Sequence, residues 1–379
     1  MQKRLYNLDG LRFMAAWVVL LCHIEGIKSL MGIKGIRFHF HENAGLVAVT
    51  FFFVLSGFLI TYLLLEEKKL STSSRIDLLR FYKKRIVRIW PLYYLLVLLV
   101  FVVIRQYPTF YNSLSGYSTP VNEQLLQNRL LGYVFFLPNY TDYNFGNEFY
   151  LGQTWTLGVE EFFYLFFPLL IYFTKLRYVK KMLLIIGLAL LLFSLSIYFL
   201  FQRLDHSHTI NILAFYFDRY RIYSFVLGGL AASLLVLPTE KKLPWIGILK
   251  NKVISKGLLF MALILIVMGV TFLFITQQLY SVLFAFFLYS VTGSGIRFYF
   301  LNHPAIVYLG KISYGIYLFQ PLTIVIFLKL VRPDDGTDPL TAILLIAGIT
   351  IATIAAAAIS YELFEKFFLR LGKKKAVIE

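Results

Sequence analysis

The chain has 379 residues, of which 59% are hydrophobic and only 15% charged, and its mean hydropathy of +0.72 excludes a soluble domain. Its net charge of +17 comes from Lys and Arg gathered between apolar runs, where membrane insertion accounts for them, so nucleic acid is excluded as a partner. The lone Cys22 excludes an intrachain disulfide and any cysteine-rich metal site.

The first apolar run, Leu8 to Gly26, reads LDGLRFMAAWVVLLCHIEG and carries Asp9, Arg12, His23 and Glu25. Asp9 and Arg12 interrupt it too early for a signal-peptide core and no small-residue cleavage site follows, so it reads as a retained membrane helix. At about 100° per residue, positions 9, 12, 16, 19 and 23 form one stripe that places Asp9, Arg12 and His23 on a shared face. Leu20, Leu21 and Ile24 are left for lipid or neighbouring helices. Burying an arginine and a histidine in hydrocarbon costs several kcal/mol each unless they face a wet or paired interior, which makes them candidates for chemistry. The alternative is hydrogen bonding between helices. The rise from Arg12 to His23 is about 16 Å, so the face offers a cation near one surface and a titratable base deep inside.

Hydropathy predicts an all-α polytopic membrane protein of about ten spans, at roughly residues 8–28, 44–66, 89–106, 154–174, 180–201, 219–237, 254–275, 277–297, 304–330 and 339–368. Alternate loops hold the basic residues: Lys68 to Arg88, Lys175 to Lys181, Lys241 to Lys256 and Lys373 to Lys375. By the positive-inside rule both termini are therefore expected in the cytoplasm. The loop from Tyr107 to Gln153 then lies outside, and its aromatic content suggests a partly ordered cap over an outer cavity. Residues 1–379 read as a single membrane domain, with no appended soluble domain and no internal repeat.

Entering the third span, Leu79 to Leu92 reads LRFYKKRIVRIWPL. Arg85 and Arg88 are neighbours on a helix surface, with Lys84 and Arg80 beside them. Such a pair grips a phosphate from two sides, although positive-inside anchoring accounts for it equally well. Arg12 at the same membrane surface adds a third guanidinium. Further along, Gln153 to Pro168 reads QTWTLGVEEFFYLFFP, where Thr156, Glu160 and Tyr164 share one face. Glu160 is thereby expected to look inward and to pair with an arginine or orient His23; a structural ion pair is the competing reading.

Together these stretches resemble the acyltransferase-3 family of membrane sugar O-acyltransferases. The resemblance rests on LDGLR with a histidine eleven residues after its arginine, FFFVLSGFLIT, Arg85-x-x-Arg88 before WPLYY, and WTLGVEEFFYLFFP. It continues in RIYSFVLGGLAA, which opens on Arg221, and in LGKISYGIYLFQP from Leu309 to Pro321. It implies a ten-helix core that takes an acyl group, usually acetyl, from cytoplasmic acyl-CoA. The group passes to a hydroxyl of a cell-surface or lipid-linked glycan. By the same resemblance Arg12, His23, Arg85 and Arg88 match functional residues.

One position departs from the pattern. Many relatives have histidine before Pro321, whereas this chain has Gln320, which cannot titrate. No catalytic role is therefore expected of Gln320. His23 is left as the one histidine well inside a span. His39, His41, His206 and His208 fall in outer loops, the last two as a weak H-x-H metal signal, and His303 caps or packs an inner helix start.

The resulting site has His23 as general base or acyl carrier, with Glu160 and Arg12 as its catalytic neighbours. Arg85, Arg88, Arg12 and Lys84 hold the acyl-CoA phosphates, and Asp9, Trp155, Tyr164 and Arg221 contact the acceptor. No metal is expected. The partners are acyl-CoA, the glycan acceptor and membrane lipids, in the inner or plasma membrane. A transporter or flippase that uses Arg12, His23 and Glu160 as a proton relay is the competing class.

Overall fold

The computed structural model describes residues 5–33, 41–71, 75–107, 123–203, 208–238, 247–267, 270–272, 275–331 and 339–373, and every regular element among them is a helix. In chain order these are α1 (Leu8–Leu30), α2 (His41–Leu70), α3 (Leu78–Leu98), α4 (Glu123–Val134), α5 (Pro138–Phe145), α6 (Trp155–Phe173), α7 (Leu176–Arg203) and α8 (His208–Tyr220). They continue as α9 (Ile222–Val236), α10 (Lys252–Val267), α11 (Thr276–Ser294), α12 (Pro304–Lys311), α13 (Ser313–Val331), α14 (Pro339–Ser360) and α15 (Lys366–Lys373). A π turn and a 3-10 turn extend α3 to Gln106, a 3-10 turn at Phe149–Thr154 leads into α6, and a π turn at Tyr361–Glu365 joins α14 to α15.

Among the described residues seven segments are long and apolar enough to cross a membrane: Leu8–Leu30, Asn43–Leu70, Leu78–Gln106, Phe149–Phe173, Leu176–Ile197, Ser313–Val331 and Pro339–Gly372. The chain is a multi-pass, all-α membrane protein. The other three expected spans correspond to α9 and α10, which at 15 and 16 residues are short for a bilayer, and to α11, which at 19 residues is long enough but is not among the segments that combine length with apolar character.

Two expected boundaries are corrected. The third helix starts at Leu78 rather than near residue 89, because hydropathy registers only the lipid-facing part and the basic cluster forms the helix's own first turns. The expected ninth span is broken after Lys311 into α12 and α13. The expected outer cap does not simply end above α3: after α4 the chain runs back along α3, where Phe136 stacks on Tyr93 at 4.2 Å between centroids and also meets Trp90 at 5.5 Å. Tyr93 lies about 20 Å below Gln106 by helical rise. Aromatic side chains such as Phe136 find ring partners on α3 at that depth. The returning backbone is satisfied there by its own short helices and by the Tyr93 and Tyr94 hydroxyls, which donate to the carbonyls of Tyr133 and Val134.

The helices form two compact units. The first holds Met1–Leu11, Glu42–Leu78 and Val159–His303. Its centre is the crossing of α2 and α9, which glycine makes possible: a Cβ on Gly57 or on Gly228 would lie 1.9 Å from a carbonyl oxygen of the other helix. Around the crossing Phe53, Phe225, Phe163 and Phe167 stack in series at 4.6, 4.3 and 4.4 Å. Asn7 ties the start of the chain to the segment before α12. It donates to the Ile296 carbonyl at 2.8 Å and accepts from the Phe298 amide at 2.9 Å.

The second unit holds Arg12–His41, Leu79–Gly158 and Pro304–Glu379, and α13 is its hub. Most of that helix is buried, as a helix apolar all round must be, and its exposed end is the last turn at Leu330 and Val331. Tyr314 donates to the Ile89 carbonyl of α3 at 2.8 Å, and Thr323 meets Thr353 of α14 at 2.7 Å. Tyr317 donates to the Gln153 carbonyl at 2.9 Å and shares a 2.8 Å bond with Thr156, while Gln153 donates to the Leu318 carbonyl at 2.7 Å. Pro321 supplies no N–H and disturbs the helical ladder one turn earlier, which leaves that stretch of α13 open to side-chain bonds.

Candidate functional site

His23 sits in the last third of α1, with Ala16 and Val19 of its stripe buried. Leu20 and Ile24 are fully buried and so pack on protein rather than on lipid. Among the described residues the side chain that bears on the imidazole is Gln320 of α13. Nδ1 of His23 and both amide atoms of Gln320 are buried without a partner of normal hydrogen-bond geometry. His23 and Gln320 thus bring buried polar atoms of α1 and α13 together within the second unit. Gln320 is itself fully buried.

The basic start of α3 belongs to the same unit. Arg85 is half-buried and lies over the Phe81 ring at 5.5 Å, while Lys84 and Arg88 are exposed. Opposite them stands a carboxylate that the sequence reading missed: the Arg88 charge acts on Glu365, which the π turn between α14 and α15 holds buried. Gly315 of α13 lies beside it: a Cβ there would be in ordinary contact with Glu365 Oε1 at 3.5 Å and tighter, at 3.2 Å, against Ala357 Cβ. Val87 packs on Gly372 of α15. The signal available in the sequence was the group Glu362, Glu365 and Lys366 at the end of an apolar span, of which Lys366 pairs with Glu362 and leaves Glu365 over.

Of the other expected site residues, Arg12 lies half-buried in the second unit, and the Trp155 carbonyl accepts from Asn139 at 2.9 Å there. Asp9, Glu160, Tyr164 and Arg221 belong to the first unit. Glu160 accepts from Ser56 and from Tyr164, both at 2.9 Å, so the expected shared face of Glu160 and Tyr164 is present. Arg221, at left-handed φ of 40°, donates to the Asp218 carbonyl, to Thr50 Oγ1 and to the Leu46 carbonyl, tying α2 to the start of α9. Glu25 and Lys28 form a buried ion pair at 3.0 Å, turned about 140–200° from His23 around α1. His39, His206, Lys241, Lys242, Lys374 and Lys375 lie outside the described residues.

The family model described as an acyltransferase domain matches residues 5–362. Curated relatives include the O-acetyltransferase OatA of Staphylococcus aureus strain MRSA252, 26% identical over 98% of this chain and 59% of that protein. OatA of strain NCTC 8325 is 26% identical over 83% of this chain and 49% of that protein. The chain thus spans about half the length of the curated relatives it matches. No solved structure matches it. With the match running through α1, the basic start of α3, α6 and α13, the chain belongs to the acyltransferase-3 family.

Proposed function

We propose that this protein is a membrane O-acetyltransferase that moves an acetyl group from cytoplasmic acetyl-CoA to a hydroxyl of a cell-surface or lipid-linked glycan. The observation that carries the reading is the unsatisfied His23 and Gln320 pair, in the same compact unit as Arg12, Arg85 and Arg88. Both chain ends face the cytoplasm in this account, which presents the basic start of α3 to the donor. Arg85, Arg88 and Lys84 grip the CoA phosphates by charge-assisted hydrogen bonds. The pantetheine arm runs along the Arg12 face of α1 and brings the thioester to the depth of His23.

There His23 accepts the proton of the acceptor hydroxyl as its oxygen attacks the thioester carbonyl. The C–S bond breaks, the acetyl ester forms, and the proton passes from the imidazolium to the CoA thiolate. Glu160, Asp9, Trp155, Tyr164 and Arg221 are proposed as acceptor-side residues, with Glu160 also balancing charge. Names of the relatives support the acetyl group, and the basic cluster supports a phosphorylated donor.

The test is twofold. Purified protein in detergent binds CoA, and membranes containing it incorporate label from acetyl-CoA into alkali-labile esters on surface glycans. CoA binding without ester formation, together with proton-coupled uptake of a glycan, would favour a transporter instead.

A further inference from the structure

We propose that Gln320 is a positioning residue for His23: its amide oxygen accepts the Nδ1 hydrogen of the imidazole, fixing the tautomer in which Nε2 carries the lone pair that receives the proton. The inference deepens the acetyltransferase reading and rests on it.

The argument starts from what an imidazole needs. A neutral histidine carries one proton on either ring nitrogen, and the partner of one nitrogen decides which tautomer the other presents. Here Nδ1 is the sealed nitrogen, while Nε2 is not among the buried atoms that lack a partner. Gln320 is the side chain that bears on the ring, it is fully buried, and neither its oxygen nor its nitrogen is used elsewhere. A small rotation of the amide therefore brings Oε1 onto Nδ1–H without breaking any existing bond.

The backbone prepares that encounter. Tyr314, Tyr317 and Leu318 anchor α13 to α3 and to the entry of α6, which fixes the register of the stretch that carries Gln320. Pro321 follows immediately and sets the local bend. A carboxylate at this point would fix the same tautomer but also stabilise the imidazolium and raise its pKa; a second histidine would add a competing base. The amide orients the ring without titrating, so proton transfer in this chain passes through a single group.

Three variants test the assignment in the full-length protein, with kcat, KM for acetyl-CoA and the pH profile as readouts. Gln320→Met keeps the volume but cannot accept a hydrogen bond, and lowers kcat about 10- to 100-fold with KM for acetyl-CoA within about twofold. Gln320→Glu supplies an anion beside the ring, and moves the acidic limb of the pH–rate profile upward by about one pH unit or more. Gln320→Asn, shorter by one methylene, recovers part of the activity lost in Gln320→Met.

Full activity of Gln320→Met would overturn the proposal, as would an unmoved profile in Gln320→Glu. If only the Glu variant inserts and folds, its profile decides alone. The two readings fail differently: normal transfer by His23 variants removes the acetyltransferase mechanism itself, whereas loss in His23 variants with indifferent Gln320 variants removes only the positioning role.

Discussion

Arg221 donates a hydrogen bond from its guanidinium to Thr50 Oγ1 at 3.1 Å, across the junction of α2 with the turn that opens α9. Its other donors reach the Asp218 carbonyl at 2.6 Å and the Asp218 carboxylate at 3.3 Å. Replacing it by Met removes a charged hydrogen bond to the buried Thr50 hydroxyl, worth about 1.5–3 kcal/mol, while the exposed Asp218 carboxylate turns to water. Arg221→Met is expected to lower the thermal midpoint in detergent by several degrees while leaving CoA affinity within about twofold. An Arg221→Met protein of unchanged stability would contradict the structural tie and leave this arginine only its proposed acceptor-side role.

The returning segment after α4 gives a second prediction. Tyr133 is buried, its hydroxyl accepts from the Glu148 amide at 3.0 Å, and burial pushes its phenol well above the ordinary tyrosine range. Because the neutral form is the one favoured by folding, this stabilisation is complete below pH ~10 and fades only as pH rises beyond it. Tyr133→Phe leaves the Glu148 amide without its acceptor and costs about 1–3 kcal/mol. Alkaline difference spectra should show fewer phenols titrating near pH 10 in the native protein than after denaturation. Ready titration of every tyrosine in the native protein would contradict the packing of this segment.

Much of this architecture was legible because lipid imposes a simple rule: apolar length marks a span, and a charge within one marks a site. That rule located α1, the basic entry to α3, the α6 entry and α13. It also found His23, Arg12 and the Glu160–Tyr164 face. What it missed came from contacts between segments distant in sequence. Glu365 reads as an anchor at the end of a span until the π turn buries it near Arg88. Gln320 cannot titrate and so gives no signal in the sequence; what it bears on, His23 of α1, is a contact between segments distant in the chain. The return of Phe136 along α3 had no local signal, since aromatic residues suit an outer cap equally well.

The donor end is tested by charge. Arg85→Ala and Arg88→Ala each remove a contact to phosphate worth about 1.5–3 kcal/mol, so CoA affinity should fall by about tenfold or more in each. Because Lys84 and Arg88 are exposed, raised salt should weaken wild-type binding in the same direction. Glu365→Gln removes the negative charge near Arg88 and should tighten CoA binding by a few fold at low salt. Unchanged affinity in an inserted Arg85→Ala, Arg88→Ala double variant would reduce the cluster to a topology signal.

Orientation is tested by labelling. With Cys22 replaced, a cysteine at exposed Asn144 in α5 should react with an impermeant thiol reagent from outside intact cells. A cysteine at Lys252, at the start of α10, should react only after permeabilisation. Labelling of both in intact cells, or of Lys252 alone, would reverse the side from which the donor enters.

The central claim is that His23 carries the proton in acyl transfer, and single-turnover transfer from labelled acetyl-CoA by purified His23→Gln protein addresses it most directly. Glutamine keeps the size and hydrogen-bonding capacity of the side chain but cannot take the proton. The account predicts CoA binding within about twofold of wild type and transfer reduced by about 100-fold or more, because a transition-state interaction alone is lost. Near-normal transfer by a well-folded His23→Gln protein, with a pH profile that stays flat, would contradict it.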